Sequence, residues 1–117
     1  MTRENIQSVC DTICSILKAP HVKAQISFRA CPLKCPALLE GKTLTVWPGA
    51  EPAELFFAIA WNIAAAWRKA DADRAAVDAV VLTWIFFHQA RVPAYINSAA
   101  AYDAAANILR ALTDWEP

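Results

Sequence analysis

Apolar residues recur at three- and four-residue steps through Ile6, Val9, Cys10, Ile13, Ile16 and Leu17, the period of one helix face. Arg3, Glu4, Gln7, Asp11 and Lys18 take the opposite face. The pattern predicts a helix over 3–18, with Thr2 as N-cap and Pro20 marking the stop. The period then changes. Val22, Ala24, Ile26, Phe28 and Ala30 alternate strictly with Lys23, Gln25, Ser27 and Arg29, which predicts a half-buried strand over 22–30. A Cys-Pro loop follows. Residues 37–40, Gly41 as the turn and 42–47 read as a hairpin, with Leu44 and Val46 toward the core and Pro48-Gly49 ending it.

From Pro52 onward the pattern is helical. Pro52 suits a first helical turn, and Glu51 and Glu54 lie near the positive end of that helix. It runs to about Lys69 with a stripe of Leu55, Phe56, Ile59, Ala60, Ile63 and Trp67. Asp71 or Asp73 caps the next helix, which runs to about Gln89 and carries Val77, Val80, Val81, Trp84, Ile85 and Phe87 or His88 inward. Pro93 breaks the chain, and Asn97 or Ser98 caps a last helix with Tyr102, Ala105, Ile108, Leu109 and Leu112 inward. The expectation is an α+β fold of one domain, 1–117: an N-terminal helix, a small three-stranded antiparallel-type sheet, then three helices.

Composition sharpens this picture. Of 117 residues, 57% are hydrophobic and 19% charged, against about 45–50% and 25% in ordinary domains. With 25 Ala and only two Gly, the chain is neither disordered nor a low-complexity linker. Its net charge is zero, with six Lys/Arg against three Asp/Glu in 1–48 and five against eight in 49–117. That balance lacks the basic footprint of a nucleic-acid binder. The longest uncharged apolar stretch, 55–67, is interrupted by Asn62 and falls short of the ~20 residues a membrane span needs. The N-terminus has no apolar signal region, so a cytoplasmic location is expected.

Cys10, Cys14, Cys31 and Cys35 form two pairs of equal spacing. Pro32 and Pro36 argue against a helix around the second pair. Four-cysteine zinc sites more often use two-residue spacing, so free thiols are the leading reading, ahead of a disulfide or a metal. Cys31 or Cys35 with His88 is the one nucleophile–base pairing to be sought, although no third orienting group is evident. His88, near a helix end, reads by default as a capping residue, and His21 as a loop residue.

The element order matches the minimal zincin fold. The stretch Gly41-Lys-Thr-Leu-Thr-Val-Trp-Pro, followed by Glu54-Leu-Phe-Phe-Ala-Ile-Ala-Trp-Asn-Ile-Ala-Ala-Ala-Trp67, resembles the ImmA/IrrE-type metallopeptidases. Those place an edge strand, a short loop and a helix reading Phe-x-x-Ala-His-Glu-Leu-Gly-His in this order. Phe57 and Ala60 fit the approach to that motif. The resemblance maps the two His ligands to Trp61 and Ala65 and the general-base Glu to Asn62. Trp and Ala cannot ligate zinc, and Asn cannot take a proton from water. The family's third ligand, a Glu on the following helix, has only Asp71, Asp73 and Asp78 as nearby carboxylates. The vestigial site would then comprise Trp61, Asn62, Ala65 and Asp73. A Trp at 61 would fill the emptied cleft, pack on Ala65 and bond its indole N–H.

The resemblance implies a metal-free, cofactor-free pseudo-enzyme of the kind that acts on repressors in phage and mobile-element control circuits. Five Trp and the adjacent pairs Phe56-Phe57 and Phe86-Phe87 require wide apolar helix faces. Part of that surface is expected to stay exposed for another protein or for self-association, with Phe57, Trp67, Phe86 and Phe87 as the candidate residues. The alternatives are a structural homo-oligomer subunit and a small enzyme using Cys and His.

Overall fold

The structure, a computed structural model, describes residues 3–67 and 72–114. Thr2 and Asp71, both candidate caps, lie outside the described residues, as do Lys69 and the side chain of Leu112. The element order is α1 (Arg3–Leu17), β1 (Lys23–Ile26), β2 (Ala37–Glu40), β3 (Thr43–Val46), α2 (Pro52–Trp67), α3 (Ala72–Phe87) and α4 (Ala99–Asp114). The α+β class and the order of helix, three strands and three helices are as expected.

Helix α1 buries Ile6, Cys10, Ile13 and Cys14. Lys18 follows it at φ 56°, and the Ala19 N–H donates to the Cys14 carbonyl at 2.8 Å. That left-handed residue with its backward bond closes the last turn two residues before Pro20. Helix α3 also ends on a left-handed residue: His88 has φ 54°, and here its own N–H donates, to the Trp84 carbonyl at 2.7 Å. His88 therefore terminates the helix through its backbone. Ser98 caps α4, its Oγ accepting from the Ala101 N–H at 3.2 Å.

The sheet is mixed, which corrects the antiparallel expectation. Strand order is β1-β3-β2. β2 and β3 form the hairpin, with Leu39 opposite Leu44, turned at Gly41 with φ 61°. β1 lies parallel to β3 on its other side, in the register Ala24 to Leu44. β1 is also shorter than the alternation suggested. The Ser27 N–H still donates to the Val46 carbonyl, but β3 ends there, and Pro48 has no N–H to offer. With no neighbouring backbone left, the chain leaves the sheet, and Phe28 is 90% exposed.

Both outer edges of this sheet are held by side-chain carboxamides. On β1, Gln7 of α1 donates from Nε2 to the Val22 carbonyl at 2.8 Å and accepts at Oε1 from the Ala24 N–H at 2.8 Å. On β2, Asn62 of α2 accepts at Oδ1 from the Leu39 N–H at 3.2 Å and donates from Nδ2 to the Ala37 carbonyl at 3.2 Å. Each amide reproduces the two-point pairing of a neighbouring strand with residues i and i+2, so two outward backbone groups on each edge are satisfied.

Helix α2 is the centre of the fold, packing against α1, α3, β2 and β3. Its first half is buried nearly all round, from Leu55 through Ala60, as a helix enclosed on several sides must be. Helix α3 buries Val80 as expected but otherwise turns a different face inward. It buries Ala75, Ala76, Ala79, Val80, Leu82 and Thr83, while Val81, Ile85 and Phe86 are exposed and Trp84 is half-buried. Small side chains let α3 lie close between α2 and α4, and that close approach outweighs burial of the larger face. The Thr83 hydroxyl is satisfied by the Ala79 carbonyl at 2.7 Å. On α4 the inward residues are Ala101 and Ala105 with Ile108 half-buried; Tyr102 and Leu109, expected inward, are exposed.

Candidate functional site

The positions that the resemblance marks as a vestigial centre lie where α2 passes the β2 edge. Asn62 sits one turn beyond Ala58, whose carbonyl accepts from Nδ2 at 2.8 Å. The same Nδ2 lies 3.8 Å from the Cys35 sulfur. Cys35 directly precedes Pro36 and β2, and the Ala37 N–H also points at its sulfur. Tyr95, from the segment joining α3 and α4, brings its hydroxyl to that sulfur as well, without a well-formed hydrogen bond. The result is a half-buried polar knot of Cys35, Asn62 and Tyr95 under the sheet edge.

Trp61 lies beside this knot, its ring 6.3 Å from that of Tyr95. It is half-buried rather than fully enclosed. Two details of the expected cleft filling are overturned. The indole N–H is buried without a hydrogen-bond partner among the described residues. Ala65 is exposed, and Tyr95 rather than the helical neighbour one turn on supplies the ring contact. Asp73 is exposed in the first turn of α3. Trp61, Asn62 and Ala65 lie within about one turn of α2, but only Trp61 and Asn62 adjoin the knot. Asp78 pairs instead with Arg74 at 3.5 Å.

The candidate partner residues also divide. Phe57 is 1% exposed and belongs to the core, which removes it from any surface. Phe56 holds the rings of Phe86 at 5.1 Å and Phe87 at 5.3 Å. Phe87 and Trp67 are half-buried, and Phe86 keeps 45% of its surface exposed.

Nothing assembles the cysteines with a base. His88 is exposed, edge-on to Trp84 at 5.9 Å, and no hydrogen bond joins it to a thiol among the described residues. Burial pushes the Cys35 thiol above its ordinary range, and the Ala37, Tyr95 and Asn62 donors only partly oppose this. Cys10 is pushed up to about 12, by burial first and by Cys14 second. Cys14 moves the same way by burial, as does the Tyr95 hydroxyl. All four sulfurs are free thiols. Among the described residues no group of three or more His, Cys, Asp or Glu is placed to hold a metal.

Raised folded-state values mean that the native protein favours the neutral thiols, whereas unfolded thiols ionise from about pH 9. Above that point the unfolded chain binds fewer protons than the native one, so stability falls as pH rises. Urea midpoints are expected to be flat around neutrality and to drop progressively above pH 9. In native thiol titration, exposed Cys31 should react first and Cys10 only on unfolding.

Beyond the knot, a cleft of about 640 Å³ opens between the start of α2 and segment 89–95, with Phe57 and Thr83 beneath it and Glu54, Arg91, Tyr95 and Tyr102 around it. No local pattern marks Tyr95 or Cys35 as neighbours of Asn62, since they come from three separate segments. The one available signal was a large ring at 95 between Pro93 and the Ser98 cap, where a loop aromatic needs somewhere to be buried. Comparison with protein-family models, curated proteins and solved structures found no match to this chain.

Proposed function

We propose that the chain is a non-catalytic protein-binding domain, a cytoplasmic regulator or inhibitor of the phage or mobile-element kind, built on a degenerate zincin-like fold. The observation that carries this reading is the outward face of α3. Val81, Ile85 and Phe86 are exposed, Ile85 by 52%, and Val77 and Trp84 are half-buried beside them. An apolar strip of this kind on a helix is the usual anchor of a helix-face interface. The zincin part of the reading is supported by position 62: where the resembling peptidases keep a general base, Asn62 holds the β2 edge. None of the described helices is long and apolar enough to cross a membrane.

A homo-oligomer subunit is the second reading, favoured by exposed Tyr102 and Leu109 on α4 together with zero net charge. One pair of measurements separates the two. Light scattering of the purified chain should give a monomer, and a tagged chain should retain a stoichiometric partner from the host lysate. Ile85→Lys with Phe86→Ser should abolish that capture with the melting transition intact. A mass above that of the monomer that the double variant reduces would favour the oligomer. Capture that survives the double variant would remove α3 as the binding face.

A further inference from the structure

The ten-residue crossing from β1 to β2 carries two thiols in contrasting positions. Cys31 is exposed and Cys35 half-buried. The Cys31 sulfur lies over the loop backbone, 3.1 Å from the Leu33 carbonyl oxygen and 3.6 Å from that of Cys35 itself. The Cys35 sulfur faces the other way, toward Asn62, the Ala37 N–H and Tyr95. Cys31 and the bends at 32–36 belong to no helix or strand, so the two side chains can approach by rotation of Cys35 within the loop. The other pair differs: Cys10 and Cys14 are fixed on α1 and buried.

We propose that Cys31 is a site of reversible thiol modification by low-molecular-weight disulfides, with Cys35 as the resolving thiol, so that a Cys31–Cys35 disulfide closes and withdraws Cys35 from the β2 edge. The chemistry is two exchanges. Cys31 thiolate attacks one sulfur of glutathione disulfide, forming a mixed disulfide and expelling one glutathione thiolate. Cys35 thiolate then attacks the Cys31 sulfur, forming the protein disulfide and expelling the second glutathione. The two protons given up by the protein thiols end on the two glutathiones, so one disulfide is reduced for each one formed. Exposure places Cys31 where the reagent arrives. Cys35 must turn out of its pocket to react, and the Ala37 N–H then loses the sulfur it points at.

The test uses the full chain, incubated with glutathione disulfide, alkylated and weighed intact. Wild type should lose two titratable thiols with no retained glutathione, and tryptic cleavage after Lys34 should leave the Cys31 and Cys35 peptides joined. Cys35→Ser should stop at a glutathione adduct on Cys31, and Cys31→Ser should keep its remaining thiols. In the disulfide form, amide exchange at Ala37 should rise on the order of tenfold while Leu44, in the centre of the sheet, stays protected. A wild-type chain that stops at the adduct, a disulfide mapped to Cys10 and Cys14, or a Cys31→Ser chain that oxidises like wild type would each overturn the proposal. Unchanged Ala37 exchange in the disulfide form would overturn its link to the β2 edge.

Discussion

Asn62→Ala is expected to lower the unfolding free energy by about 2–4 kcal/mol, a large share of the stability of a domain this size. The side chain occupies little volume, so lost packing explains only a minor part. The larger part is polar. With the amide gone, the Leu39 N–H and the Ala37 carbonyl stay under α2, where water reaches them poorly, and each such group costs about 1–3 kcal/mol. The Ala58 carbonyl also loses its second donor but keeps its helical one. Asn62→Asp is the sharper control, since it keeps the shape and the acceptor for Leu39. It replaces the donor with a carboxylate oxygen facing two carbonyls and should therefore be at least as destabilising at neutral pH. Urea unfolding with the slope held in common is the measurement. A loss under half a kilocalorie for both variants would mean that the β2 edge does not depend on Asn62. The same reasoning bears on rebuilding a zinc site. A chain carrying Trp61→His, Asn62→Glu and Ala65→His gives up the clasp, so its stability should fall before any metal question arises.

Phe57→Ala should cost about 3–5 kcal/mol, whereas Phe86→Ala should cost about 1 kcal/mol or less. The two phenylalanines are alike in sequence context, each one of an adjacent pair on a helix. Phe57 is buried at 1% exposure, so removing its ring opens a cavity in the core. Phe86 lies on Phe56 with nearly half of its surface in water, so its loss forfeits one ring contact. Thermal and urea unfolding of the pair give the comparison. The binding assay should rank them the other way, with capture of a partner lost in Phe86→Ala.

How far the chain could be read in advance follows from what each pattern encodes. Helix α1, the hairpin and the starts of α2 and α4 were legible because period, breakers and caps are local signals. Pro20, Gly41, Pro52 and Ser98 each act within a few residues of themselves. Sheet order was not legible. Whether β1 pairs with β2 or β3, and in which direction, depends on how the ten residues 27–36 cross the end of the sheet, and no short-range signal fixes that. The strand 22–30 was overextended because alternation shows only that a segment could pair, while pairing also needs a neighbour, and β3 ends at Val46. On α3, side-chain size is a poor guide to burial. The buried side is in fact marked by Ala75, Ala76 and Ala79, because closeness of approach decided the face. The site divided in the same way. Positions 61 and 62 were found through the resemblance, but what they touch, Tyr95, Cys35 and the β2 backbone, comes from segments that only the folded chain brings together.

Two amides at the margins of a three-stranded sheet also limit what the molecule can join. An open strand margin is a template: a peptide, a second copy or a misfolded neighbour can add to it rung by rung, and growth of that kind ends in fibrils. Here Gln7 and Asn62 occupy the first rungs on either side, each with a group that can pair once and not be extended. Lateral growth of the sheet, strand beside strand, is thereby opposed at both edges, which leaves the helix surfaces as the place for lasting association.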